Sequence, residues 1–333
     1  MTVRRPLVLS SGRVAELPAT DMLPVSASGF RNRIVGGDFY TNPWQRGTSF
    51  TALANGAHCA DRWLLSSATE AVVNVLKTTD GPTVAQAGIY SPACIHFDVT
   101  TADTSIGATQ YYMIQHRFEG WSIVDLGFGQ SGTRYVTLSF WHKHTKTGTY
   151  CVALTDASVA RSYIAEYTQS VTDTWEFSSI TIPVDTAAWG MGLTSGSMRV
   201  FFTFACGSTY HTSAGAWTTG TYFSSANQVN AMDSTSNNCK LALIQLEPGE
   251  VATPFEVLPY PVVLQLARRC YREMAVRVQE SSSHTQLALE MRATPTVTGG
   301  GTGFSYATDT TAYVLDCYQE TAAIQTLKLA ADV

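Results

Sequence analysis

Charge is scarce in this chain. Asp, Glu, Lys and Arg make up 14% of its 333 residues, well below the roughly 25% of an ordinary soluble domain. Only five of them are lysines: Lys77, Lys143, Lys146, Lys240 and Lys328. A net charge of −5 with scattered basic residues argues against a nucleic-acid binder, which needs a basic face to neutralise phosphates. Long apolar runs are missing too. Leu7-Val8-Leu9 behind Arg4-Arg5 is too short for a secretory core and nothing later reaches membrane length, so neither an export signal nor membrane insertion is expected. The seven cysteines include no C-x-x-C pair and are odd in number, which predicts reduced, buried thiols rather than a disulfide framework. Catalytic signatures are equally lacking. There is no Gly-x-Ser-x-Gly elbow, phosphate loop or metal quartet, and no β-helix repeat of the depolymerase kind. Glu119 with Asp125 and Glu166 with Glu176 are close in sequence, but no spacing rule makes either pair catalytic. The expectation is a protein that is not an enzyme and has no cofactor.

What fills the chain is Ser, Thr, Gly and apolar residues, the last at 45%. That mixture suits an all-β protein with hydroxyl-bearing outer faces, or one whose surface is covered by sister subunits. The stretch from Gly36 to Trp63 sets aromatic anchors between turn residues and reads as the first strands of such a domain. Val136 to Trp141 alternates, with Val136, Leu138 and Phe140 toward a core and Thr137, Ser139 and Trp141 outward. In 108–118, Tyr112, Ile114 and Phe118 share one face and Tyr111, Gln115 and Arg117 the other. Gly148 to Thr155, Tyr163 to Thr168, Trp175 to Ile182 and Met198 to Cys206 are further strands, the last apolar on both faces and therefore central. Short strands without helical periodicity predict a jelly-roll β-sandwich over 31–258.

The flanks differ from this pattern. Residues 1–30 hold two short strand-like runs around Ser10-Ser11-Gly12 and then a Pro/Ser-rich linker. Such a hairpin needs something to pack on. Pro261 suits the first turn of a helix, and Val263, Leu264, Leu266, Ala267, Cys270, Tyr271 and Met274 recur at helical spacing, predicting a connecting helix within 259–276. Residues 277–333 return to a β pattern, a small C-terminal β domain with a turn at Gly299-Gly300-Gly301.

Several motifs carry a resemblance. Gly36-Gly37-Asp38-Phe39, Trp44-Gln45-Arg46-Gly47 and Ala60-Asp61-Arg62-Trp63, with Leu243 to Gly249 and Ala252 to Glu256, are similar to the first and last strands of jelly-roll modules in fibre and spike proteins of tailed phages and phage-like particles. Those modules are themselves similar to carbohydrate-binding modules. Met291 to Thr298 resembles a strand of the small C-terminal β domains of the same fibres. The N-terminal run, with Arg4, Arg5, Leu7, Leu9, Val14 and Leu17, resembles the arm by which such fibres dock to other proteins of the virion. The resemblance implies a homo-oligomer, a trimer, assembled in the bacterial cytoplasm into a virion and binding host surface polysaccharide. Carbohydrate-binding relatives often hold a structural calcium near the first and last strands. Here Gln245 stands where an acidic residue is expected, and Asp38 alone does not supply the six to eight oxygens that calcium takes.

Sugar recognition needs flat aromatic faces flanked by planar polar groups. Trp141, Tyr111, Gln115 and Arg117 supply both if their outward faces belong to an open sheet, and Trp121, in the loop after Gly120, is a further candidate. His142-Lys143-His144 offers two metal ligands without a third and reads as a solvated turn.

Overall fold

An apolar side chain at every second position leads each strand to bury one face, and two sheets sharing a dry interior are the outcome. The computed structural model describes residues 7–10, 13–16, 30–278, 283–286, 291, 295–299, 304–309, 314–319 and 323–331. Strands β1 (Leu7–Ser10) and β2 (Arg13–Glu16) pair as an antiparallel hairpin with Leu7 opposite Glu16. Arg4, Arg5 and Leu17 lie outside the described residues.

Twelve strands follow: β3 (Ser49–Phe50), β4 (Trp63–Ser67), β5 (Val72–Thr78), β6 (Cys94–Thr101), β7 (Tyr111–Glu119), β8 (Tyr135–His144), β9 (Gly148–Asp156), β10 (Arg161–Gln169), β11 (Glu176–Pro183), β12 (Gly196–Cys206), β13 (Trp217–Thr219) and β14 (Asn238–Pro248). They form two six-stranded antiparallel sheets. The first has the order β11-β8-β14-β6-β5-β3, and the second β13-β10-β9-β12-β7-β4. The protein is a jelly-roll β-sandwich, the class that the alternation predicts. Val136, Leu138 and Phe140 of β8 face Tyr112, Ile114 and Phe118 of β7 and Val200, Phe202 and Phe204 of β12 across one buried core. Phe140 meets Phe202 edge to face, with ring centroids 5.0 Å apart, the arrangement that the ring quadrupole favours. Strand β12 lies between β9 and β7, the central place that its two apolar faces require.

Three expectations are corrected. The first is the turn at His142-Lys143-His144. The alternation of β8 continues through it: His142 and His144 follow Phe140 on the inner face and are fully buried, and only Lys143 points out. Strand pairing carries this far, since His144 lies opposite Cys239 of β14. The buried imidazoles are hydrogen-bonded, His142 to Gln169 Oε1 (2.9 Å) and Ser178 Oγ (3.0 Å), and His144 to the Tyr167 hydroxyl (3.1 Å). Burial pushes the pKa of both below the ordinary histidine value.

The second is the Gly36–Trp63 stretch, which is mostly turns; its only strands are the two residues of β3 and the start of β4 at Trp63. Left-handed φ angles at Phe39 (57°), Trp44 (50°) and Arg62 (75°) bend the chain away from extended geometry. Asn42 Oδ1 compensates by accepting from the amides of Trp44 (3.1 Å) and Asp61 (3.0 Å), and Asp61 Oδ2 accepts from the amide of Gln45 (2.9 Å). Phe39, Trp44 and Trp63 are thereby turned into the core.

The third is the exit helix. It spans Tyr260–Arg268 with Pro261 in its first turn, but the chain leaves helical geometry before Met274: Tyr271 begins strand β15 (Tyr271–Val278). Tertiary contacts override the periodicity here. Arg46 lies 3.5 Å over the Tyr271 ring, and Gln45 Nε2 donates to the Tyr271 carbonyl (2.9 Å). Arg62 touches Cys270 Sγ and donates to the Arg117 carbonyl (2.7 Å), while Arg269 pairs with Glu119 at 2.9 Å. The Trp-Gln-Arg-Gly and Ala-Asp-Arg-Trp motifs thus form the socket for the chain leaving the sandwich. Strands β16 (Ser283–Gln286), β17 (Thr296–Gly299), β18 (Phe304–Asp309), β19 (Val314–Gln319) and β20 (Ala323–Ala330) follow, in three-stranded sheets ordered β15-β20-β17 and β16-β19-β18.

Candidate functional site

The outer face of the first sheet carries an open cleft. Register sets its floor: Trp141 of β8 lies opposite Phe177 of β11 on one side and Ala242 of β14 on the other. The Trp141 and Phe177 rings are 5.5 Å apart, with Phe177 51% exposed and Trp141 half-buried. A bulge in β14 between Ala242 and Gln245 sets Leu243 at φ 51° and lets Ala242 and Leu243 both join the outer cluster, while Ile244 returns to the core. The bulge is held from behind by Gly37, whose carbonyl accepts from the Ile244 amide at 2.8 Å; a Cβ on Gly37 would sit 2.2 Å from the Ile244 oxygen.

Two segments wall the cleft. One follows α1 (Val84–Ala87), a single turn held by a Thr83/Gln86 capping box and ended by Gly88 at φ 74°, which brings Ala87 and Ile89 to the rim. The other is 252–255, with Pro254 and Phe255. Between them the cavity measures about 520 Å³, and no acidic, basic, histidine or cysteine side chain lines it. The charges one register step away are mutually neutralised. Lys240 and Lys143 contact Asp80 at 2.6 and 3.1 Å, and Lys143 contacts Asp173 at 3.6 Å. Burial pulls the Asp80 carboxyl up, but hydrogen bonds from both lysines outweigh it and hold the group below its ordinary value.

The structure does not bring the sequence candidates together. Tyr111, Gln115 and Arg117 lie on the outer face of the second sheet. Tyr111 is packed against Tyr210 (5.4 Å) and Phe223 (5.6 Å) of the covering segment 207–225. Gln115 is 2% exposed, donating to Ser66 Oγ and accepting from Arg117 Nε at 2.9 Å. Trp121 sits in the four-residue helix α2 (Gly120–Ile123), 57% exposed, its amide bonded to the Leu193 carbonyl. Only Trp141 reaches the cleft. Phe177, Ile89 and Phe255 escaped the sequence reading. Phe177 had a signal in the alternation of its own strand, but the partner strand that sets it beside Trp141 is a matter of topology.

The carboxylates considered for catalysis are otherwise engaged. Glu119 pairs with Arg269, Asp125 with Arg33, Glu166 accepts from Asn227 (3.0 Å), and Glu176 accepts from the amides of Ser170 and Val171.

The residues near the first and last strands do not fit a calcium ion. Gln245 Nε2, a donor, lies 2.9 Å from Glu247 Oε1 and within 3.5 Å of Thr253 O, Thr253 Oγ1 and Pro254 O. Arg31 adds a cation, 3.4 Å from Glu247 and bonded to the same Pro254 carbonyl. Nitrogen thus fills the oxygen cage. Asp38 is spent on Thr41, accepting from its amide (3.1 Å) and hydroxyl (2.9 Å). Among the described residues no three His, Cys, Asp or Glu side chains converge to hold a metal, and no helix is long and apolar enough to cross a membrane.

No protein-family model matches the chain, and no curated protein matches it. Solved structures resemble it at low identity, among them a phage tailspike domain, carbohydrate-binding modules and a cyclase from Fischerella sp. TAU. The enzymatically active domain of tailspike protein 4 of bacteriophage CBA120 is 13% identical, with a TM-score of 0.36 over 67% of this chain and 22% of that one. TmCBM61 in complex with β-1,4-galactotriose is 10% identical (TM-score 0.31; 66% and 99% of the two chains). The family 11 carbohydrate-binding module of Clostridium thermocellum, in complex with a β-1,3-1,4-mixed-linked tetrasaccharide, is 11% identical (TM-score 0.31; 62% and 98%).

Proposed function

We propose that the protein is a non-catalytic glycan-binding subunit whose ligand lies in the cleft on Trp141 and Phe177. One observation carries the reading: an aromatic pair left open at the floor of a cleft of about 520 Å³, within the roughly 300–1,000 Å³ of small-ligand sites. Aromatic faces suit the apolar C–H side of a pyranose. The lining supports binding without cleavage, because glycoside hydrolysis takes two carboxylates across a cleft and this lining contains none.

The finer reading is a fibre or spike subunit of a virion. The sequence resemblance supports it, with the β1–β2 hairpin as part of the arm that docks to other virion proteins. In this reading the protein is a trimer and its ligand is host surface polysaccharide. Each contact is shallow, and several copies on one particle compensate by raising the effective concentration.

The test is binding of the full-length protein to host cells and to their extracted polysaccharide. Trp141→Ala is expected to abolish saturable binding while leaving particles intact. The low charge content favours a second reading, a structural connector covered by other subunits. On that reading the same variant loses incorporation and the wild-type protein binds no glycan. New reducing ends after incubation with the polysaccharide would overturn the non-catalytic reading.

A further inference from the structure

The loop that walls the cleft continues into a second pair of aromatic side chains. Gly88 and Ile89 line the cleft, and Tyr90, the next residue, is 71% exposed, the most exposed aromatic among the described residues. Its ring stands edge to face with Tyr40, itself 47% exposed, with centroids 6.0 Å apart. Consecutive Cα atoms are about 3.8 Å apart, so the backbone of Tyr90 starts where the cleft wall at Ile89 ends.

The backbone beside both rings is tied down. Ser91 is 3% exposed and its hydroxyl donates to the Asp38 carbonyl (3.4 Å). Asp38 in turn fixes Thr41, the residue after Tyr40. Lys77 Nζ donates to the Tyr40 carbonyl (3.3 Å) while lying 5.9 Å from the centre of the Trp44 ring. An exposed apolar pair on a well-tied loop costs little ordering entropy when a ligand arrives, and each phenol adds a hydroxyl that both donates and accepts.

We infer that Tyr40 and Tyr90 form a second glycan-contact platform continuous with the Trp141 cleft, so that the occupant is a polysaccharide chain longer than the cleft. The inference rests on the glycan reading above and extends it from a site to a track. A free mono- or disaccharide fills the cleft alone, and a longer chain crosses Ile89 and lies against the tyrosine pair.

The experiment is calorimetric titration of the full-length protein with matched disaccharides and octasaccharides of the neutral β-linked gluco, galacto and manno series. Wild type, Tyr90→Ala, Tyr40→Ala and Trp141→Ala are compared. The two tyrosines are exposed, so their replacement leaves folding intact, which a thermal melt verifies. The expected result is roughly tenfold weaker octasaccharide binding for Tyr90→Ala, the scale of a contact residue that matters, with disaccharide affinity unchanged. Trp141→Ala loses both. If both tyrosine variants bind the octasaccharide as wild type does while Trp141→Ala loses it, the cleft stands and the platform is overturned. Equal weakening at both lengths also overturns the platform. If wild type binds neither this series nor the extracted host polysaccharide, the cleft reading falls and the platform with it.

Discussion

The two sheets present their outer faces in opposite ways. Both carry aromatic residues at alternate outward positions: Tyr111 and Phe201 on the second sheet, Trp141 and Phe177 on the first. On the second sheet the segment 207–225 folds back, so that Tyr210 and Phe223 bury Met113, Cys151, Ala153, Ile164 and Phe201 in a satellite core. On the first sheet the segments 86–89 and 252–255 stand at the sides and leave the floor open. The strand pattern is the same in the two cases. Where the connections run decides whether an outward aromatic becomes packing or a contact surface.

The largest expected effect removes the cover. Phe223 is 6% exposed and meets Phe201 at 5.1 Å, so Phe223→Ala is expected to cost about 3–5 kcal/mol of stability in urea unfolding. Phe177→Ala on the open face is expected to change stability by no more than about 0.5 kcal/mol while weakening glycan binding by about tenfold or more. If the two substitutions cost the same in urea, the faces do not differ as described.

A smaller effect separates the inner faces. His142 and His144 sit neutral in the core with their pKa values lowered by burial. The unfolded chain binds protons near pH 6.5 where the folded one does not. Their contribution is therefore fully present above about pH 6.5 and is lost as pH falls below it. Urea midpoints at descending pH should drop more steeply for wild type than for a His142→Gln variant. The smallest effect is none at all: with nitrogen seated among Glu247, Thr253 and Pro254, the wild-type melting temperature should be unmoved by calcium or by a chelator. Gln245→Glu places two carboxylates together and should melt lower without calcium and recover with it.

Much of the sandwich was legible in the sequence because alternation is a local signal. Val136, Leu138 and Phe140 point inward for the same reason that Tyr112, Ile114 and Phe118 do, and no partner strand is needed to know it. The candidate site was legible only at Trp141. Tyr111, Gln115 and Arg117 are correctly outward, but only the return of 207–225 shows that Tyr111 is covered, and only the pairing with β4 shows that Gln115 is engaged by Ser66. Phe177 belongs to the site through its register with β8, a contact between residues far apart in the chain. The error at His142-Lys143-His144 has a physical source as well. Histidine and lysine suggest solvent, yet strand pairing with β14 outlasted the apolar run, and Gln169, Ser178 and Tyr167 made burial tolerable by accepting or donating hydrogen bonds.

The socket around Tyr271 has a mechanical consequence. Gln45 and Arg46 clasp Tyr271, Arg62 touches Cys270, and Arg269 reaches Glu119, all within three consecutive residues of the departing chain. A pull on β15 therefore meets the Tyr271 clasp first, with the contacts of Cys270 and Arg269 directly behind it. Tension arriving from the C-terminal strands is passed into the body of the sandwich instead of being absorbed by a swivel at its exit.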